Sequence, residues 1–315
     1  MQRDIEPTLH PHREAVSKPV DSAVTSPPSG SISFVIATVG RGPQVEALLD
    51  TLEQARTNED EVILLIRADR AQTFARRPGW LRVVPVPDAS IFRLRAQVPA
   101  VARKEWVVVL EDHSLLTGSN VEAIRRLVRE RPDIDIIPFL TKNLTSTGPW
   151  DWAIFLYNFA LVWAPLDHSP PFSIVTSAIV RCAAFKTQNP LKDGEWELRF
   201  VPGLFASGRR ESSNDIFIDH VKPLNFIPAV TLIFHNARAG AALQRDFGIP
   251  ALNVLREGWH AFGPRPPMLM DAVAARRHEL PAGTQFRLHV LGFTHLIGNI
   301  AGLLFGSGVS AHQID

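Results

Sequence analysis

Among 315 residues there is one cysteine, Cys182. It cannot close an internal disulfide, which excludes a disulfide-stapled scaffold and fits a reducing compartment. Its expected role is to fill core. An excess of either charge is missing too: 33 Lys and Arg stand against 32 Asp and Glu, a net charge of +1, and no basic run is long enough to follow a phosphate backbone. Nucleic acid is therefore not the expected partner. No basic segment leads directly into an apolar stretch near Met1, so a cleaved secretory signal is not expected and the location reads as cytoplasmic. Several enzyme signatures are absent as well: there is no P-loop, no G-x-S-x-G elbow and no H-E-x-x-H pair. "VGRGP" stops short of a dinucleotide fingerprint, because Val45 stands where the third glycine belongs. Hydride transfer has little support.

What is present is enough apolar chain, 45% against 21% charged residues, to fold as one large α/β domain or two small ones. Residues 1–30 carry five prolines, seven charged residues and no apolar periodicity, so they read as a disordered tail. From Ser31 the pattern changes. "SISFVIAT" reads as a buried strand, and "PQVEALLDTLEQA" as a helix with Val45, Leu48, Leu49 and Leu52 on one face and Pro43 in its first turn. "DEVILLIRADR" and "WLRVVPVP" read as strands, residues 91–103 as a helix interrupted by Pro99, and "EWVVVLEDH" as the strongest strand in the chain. A helix over 118–131 and a strand in "DIDIIPFL" follow. This alternation predicts a mostly parallel sheet covered on both faces, with its site at the carboxyl ends of the strands.

Two apolar stretches stand apart. Trp152–Leu166 has fifteen residues without a charge, short of the roughly 20 that span a bilayer, and reads as a buried helix or a lipid-touching surface. Leu288–Val309 has 22 residues without Asp, Glu, Lys or Arg, but His289, His295, Asn299 and several glycines favour an interfacial or buried helix over a span. No internal repeat is visible.

The chemistry-bearing residues gather where the strands end. In "VVVLEDHS", Glu111, Asp112 and His113 follow a buried strand that needs none of them. In extended chain Glu111 and His113 point the same way, so a carboxylate and an imidazole can share a divalent ion, while the same residues would also serve as a polar turn. Asp219 and His220 end another apolar run; His220 either completes a metal shell or is a surface histidine. Glu195 and Glu197 flank Trp196 ahead of a helix, where a partly desolvated carboxylate suits a general base and a helix-start glutamate suits the dipole. Asp69 can accept from a nucleotide base or sugar, and Arg95 can hold a phosphate oxygen.

In chain order these pieces resemble an inverting family 2 glycosyltransferase of the GT-A fold, in a divergent bacterial form. "FVIATVGR" is similar to that family's first strand and turn, with Ala37, Val39 and Gly40 in place of its proline, tyrosine and asparagine. "LIRADR" stands where the second strand ends on an acidic residue, and "FRLRAQVPAVARKEWVVVLEDH" leads into the position of the D-x-D motif, with Glu111 and His113 at the two motif positions and Asp112 between them. "DGEWELRFVPGLFASG" resembles the acceptor-side segment, "DHVKP" the later histidine, and Arg181 is what remains of the family's G-x-N-x-x-x-R pattern.

The resemblance implies a GT-A nucleotide-diphospho-sugar transferase-like fold: a mostly parallel central sheet flanked by helices over 31–225 and a helical extension over 226–315 that faces a membrane. It implies metal-dependent inverting transfer from a nucleoside diphosphate sugar to a hydroxyl of a lipid-linked or polysaccharide acceptor. Glu197 would be the base and Glu195 the reserve. Mn²⁺ or Mg²⁺ would sit on Glu111, His113 and His220, and Thr38, Asp69, Arg95 and Asp112 would meet the nucleotide sugar. The enzyme would be peripheral on the cytoplasmic face of the membrane, with a homo-oligomer left open. Two other readings stand beside it. One is a catalytically degenerate GT-A scaffold that only binds a sugar nucleotide. The other is a nucleotidyltransferase, whose basic first loop would have to rest on Arg41, since Lys104 lies in another segment.

Overall fold

A computed structural model describes residues 30–314 apart from 41, 75–78, 146–147, 167–176 and 265. All but Gly30 of the tail expected over 1–30, the first-loop Arg41 and most of the segment before Arg181 lie outside the described residues. Six strands form the central sheet: β1 (Ile32–Thr38), β2 (Glu61–Arg67), β3 (Leu81–Val86), β4 (Trp106–Glu111), β6 (Ile136–Pro138) and β8 (Ala178–Arg181), in the order β3-β2-β1-β4-β8-β6. β3, β2, β1 and β4 run parallel, while β8 is antiparallel to both β4 and β6. β1 is buried along its whole length and β4 up to its last residue. Their near-continuous Val, Ile and Leu content is what a sheet covered on both faces requires.

α1 (Pro43–Ala55) and α4 (Gly118–Glu130) cover one face, α4 starting at a reciprocal cap in which Thr117 and Asn120 satisfy each other's backbone N–H groups. A buried ion pair, Asp60 with Arg125 at 2.7 Å, ties the turn before β2 to α4, and Asp60 also accepts from the Ile32 N–H. The helix expected over 91–103 is two: α2 (Ile91–Ala96) and α3 (Val98–Val101), because Pro99 fits only a first turn.

The strand expected in "DIDIIPFL" also divides. β6 stays in the central sheet, and after Phe139 the chain enters β7 (Leu140–Asn143) of a second sheet, ordered β5-β9-β7, with β5 (Ser114–Leu115) and β9 (Phe217–His220). This small sheet matters to the site. β5 begins directly after the turn that ends β4 and pairs with β9 in the register Ser114↔His220, so two segments a hundred residues apart meet beside His113.

The first uncharged stretch, Trp152–Leu166, runs from within α5 (Pro149–Phe159) to the turn beyond it, and its apolar side chains from Ala153 to Ala164 are mostly buried core and not a lipid-touching surface. Beyond β9 come α7 (Phe226–Asp246), α8 (Ala251–Phe262), α9 (Pro267–Ala275) and α10 (Thr284–Phe305). α10 lies on α7 through glycines. A Cβ at Gly302 would sit 2.3 Å from the Arg238 carbonyl, and one at Gly298 would sit 2.6 Å from that of Phe234. Gly302→Leu should therefore force the helices apart and lower stability by about 1–3 kcal/mol; a thermal melt with unchanged midpoint would contradict this packing.

The opposite side of α10 is bare. Phe286, Phe293, Ile297, Ile300 and Leu304, spaced seven, four, three and four residues apart, form one stripe and are 42–67% exposed. α10 is long and apolar enough to cross a bilayer, with a mean hydropathy of 1.5 over its best window.

Candidate active site

The carboxyl end of β4 opens into a cavity of about 210 Å³. Its charged and imidazole groups are Arg95, Glu111, Asp112, His113, Glu197, His220 and Lys222, with Asn158 and Asn236 beside them. Its apolar wall comes from Ile91 and Phe92 of α2, Phe159 of α5, and Leu232, Phe262 and Ile314 of the extension. Residues past 225 thus complete the site.

Arg95 is the hub. α2 starts at Ser90, whose hydroxyl accepts from the Arg93 N–H, and carries Arg95 in its last turn, where it is 6% exposed. One end of its guanidinium donates to Glu111 Oε1 at 2.5 Å and the other to Glu197 Oε1 at 2.9 Å. The expectation that Arg95 meets a phosphate changes here: both terminal nitrogens of its guanidinium are engaged by carboxylates. The cation in turn explains how two buried glutamates coexist, since burying a carboxylate without a partner costs several kcal/mol.

Glu197 lies in a π-helical turn, Trp196–Phe200, that leads into α6 (Val201–Ser207). π-turns recur at functional sites because the extra residue re-aims side chains. Trp196 is fully buried and stacks on Phe200 at 5.3 Å, which anchors the turn and leaves Glu197 facing Arg95. Burial pushes the Glu197 carboxyl above its ordinary range, and Arg95 opposes the shift. Its second oxygen, Oε2, is buried with no hydrogen-bond partner. Glu195, the reserve base, does not reach the cavity: its carboxylate accepts the Lys192 N–H at 2.9 Å and closes the preceding turn.

His113 stands between two acids. Its Nε2 is 3.0 Å from Glu111 Oε2 and its Nδ1 is 2.9 Å from Asp112 Oδ1. A carboxylate only accepts, so a ring with one on each nitrogen donates from both and is an imidazolium. Burial and the Lys222 charge oppose protonation, yet Glu111 and Asp112 hold the His113 pKa above its ordinary value. The His220 ring lies 4.8 Å away, edge to face, and is held neutral, its pKa pushed well down first by burial and then by His113.

This arrangement does not fit a divalent ion on Glu111, His113 and His220. His113 has no lone pair to offer, and Glu111 is engaged by Arg95 and His113 on its two oxygens. Among the described residues no group of three His, Cys, Asp or Glu is gathered as a metal site. The sequence spacing does bring Glu111 and His113 together, but onto each other and not onto a shared ion.

Two further expectations change. Thr38 is fully buried, so it does not touch a ligand; its hydroxyl donates to Asp112 Oδ2 at 2.9 Å and accepts from the Gly40 N–H. Thr38 positions Asp112. Asp69 lies outside the cavity at the end of β2, exposed and bound by both ends of the Arg67 guanidinium. Arg181 is likewise remote, over the Trp106 ring. Lys222, two residues beyond the end of β9, also stands on the cavity wall, and nothing in its local sequence marks it out.

A scan against protein-family models and a search of curated proteins give no match. Solved structures do match. The mannosyltransferase PcManGT from Pyrobaculum calidifontis, solved with GDP-Man and Mn²⁺, is similar with a TM-score of 0.51 at 14% identity, covering 91% of each chain. TarS of S. aureus, residues 1–349, aligns with a TM-score of 0.47 at 14% identity over 84% of this chain and 91% of that one. The mixed central sheet flanked by helices, with a helical extension at its carboxyl end, is a GT-A-like fold.

Proposed function

We propose that the protein transfers a glycosyl group from a nucleoside diphosphate sugar to a hydroxyl of a lipid-linked or polysaccharide acceptor, with inversion. The observation that carries this reading is Glu197 Oε2, a buried carboxylate oxygen without a partner at a cavity formed by the carboxyl end of β4. An incoming alcohol satisfies it. Glu197 accepts the acceptor proton, the acceptor oxygen bonds to the anomeric carbon, and the bond from that carbon to the diphosphate breaks with its electron pair on the phosphate oxygen. Arg95 holds Glu197 in register and limits its basicity. The cavity takes the sugar and diphosphate.

The GT-A-like fold supports this reading, as does PcManGT, whose structure contains a nucleotide sugar. The test is calorimetry with a panel of nucleoside diphosphates and their sugars, followed by measurement of diphosphate release with an acceptor. Failure of every nucleotide to bind would remove the reading. Binding without transfer would favour the degenerate scaffold, for which the ion-paired carboxylates are the motivating observation.

The exposed stripe of α10 supports a lipid-linked acceptor and a peripheral membrane location. An amphipathic helix with its apolar side outward lies in a bilayer interface, and α10 contains no acidic residue. Flotation with vesicles containing anionic lipid is expected to carry the protein up, and Phe293→Glu with Ile297→Glu to leave it at the bottom with its circular dichroism unchanged. Equal flotation of both forms would assign the stripe elsewhere.

A further inference from the structure

We propose that Lys222 meets the leaving diphosphate as a fixed cation, in the place where the family resemblance puts a divalent ion. This rests on the transferase reading above and deepens it.

The argument begins from the donors. A metal needs lone pairs aimed at one point, and here the carboxylates at the end of β4 have been turned inward. Glu111 is held by Arg95 and His113, while Asp112 is held by His113 and Thr38. Seating an ion would mean expelling Arg95 from its carboxylates or stripping a proton from an imidazole clamped between two acids. Yet the reaction places a further negative charge on the diphosphate as the anomeric bond breaks, and positive charge must meet it.

The charge of Arg95 is held between two carboxylates and nearly sealed from solvent. Lys222 stands on the wall of the same cavity. β9 ends at His220, Val221 donates its N–H to the His113 carbonyl at 2.9 Å, and the Lys222 N–H donates to Thr145 Oγ1 at 2.9 Å. The backbone is thus pinned on both sides, and the side chain lines the cavity, half-buried, on a four-carbon stem. Its side chain shares that cavity with Asp112, His113 and His220, on each of which its charge acts. An ammonium is a compact charge with three donors and suits a diphosphate oxygen.

The experiment is calorimetry of the full chain with UDP and GDP in EDTA, repeated after EDTA is exchanged for Mn²⁺, on wild type, Lys222→Met and Lys222→Arg. Wild type is expected to bind one of the two in EDTA, with an affinity that Mn²⁺ changes by less than about threefold. Lys222→Met should lose about tenfold or more, as loss of one charge-assisted hydrogen bond predicts, and Lys222→Arg should recover most of it. Thermal melts of both variants check folding, and the arginine form reads the charge if the methionine form does not fold. Binding abolished by EDTA and restored by Mn²⁺ would overturn this inference and leave the proposed function standing. So would unchanged affinity in Lys222→Met. Absence of nucleotide binding under both conditions would remove the functional reading itself, and this inference with it.

Discussion

Glu197→Gln is expected to lower transfer by about 10²–10⁴-fold, the usual contribution of a positioned base, while nucleoside diphosphate affinity stays within a fewfold of wild type. Glutamine keeps the shape and an oxygen toward Arg95 but cannot take the acceptor proton. The pH profile provides a second readout. The base acts when deprotonated, so kcat/KM rises with pH through its pKa. Burial lifts the Glu197 carboxyl, so this acid limb should lie above the ordinary carboxylate range. Retained turnover in Glu197→Gln, or a limb at ordinary carboxylate pH, would show that another group takes the proton.

The second large effect is expected at Arg95. Arg95→Met leaves Glu111 and Glu197 buried without their shared cation, and should cost about 3–5 kcal/mol of stability as well as activity. The pH dependence distinguishes this from lost packing. Without Arg95 the Glu197 carboxyl, already raised by burial, is raised further in the folded state, so the native protein binds more protons than the unfolded chain and stability falls as pH rises. Its deficit against wild type should shrink on acidification and be small below about pH 4, where the unfolded glutamates are protonated too. A deficit independent of pH would mean that Arg95 acts through its hydrocarbon stem alone. Arg95→Lys should recover part of the loss, since an ammonium keeps the charge but lacks the fork that reaches two carboxylates.

Local signals carried the strands and helices of the sheet. β1, β2 and β4 are buried apolar runs with turn residues beyond them, β3 is a more exposed one, and the position of Glu111, Asp112 and His113 after β4 was legible because charged groups rarely follow such a run without use. What local signals do not encode is pairing. "DIDIIPFL" looks like one strand, yet it serves two sheets, because the partners of β6 and β7 come from β8 and β9, far along the chain. Glu195 and Glu197 are indistinguishable in a string of residues. They separate only when Trp196 enters the core and the π-turn aims Glu197 at Arg95. α10 shows the same limit: its composition satisfies a membrane span, and only α7, packed against Gly298 and Gly302, fixes which face is covered.

The amino-acid sequence alone determined the alternating α/β order and put acids and imidazoles at the end of β4, because periodicity and burial are properties of neighbouring residues. Tertiary structure decided what those groups are to one another. Arg95, contributed by a helix between β3 and β4, turns a carboxylate–histidine pair that reads as a metal site into a closed chain of charges, because a buried carboxylate binds whichever cation the fold holds nearest.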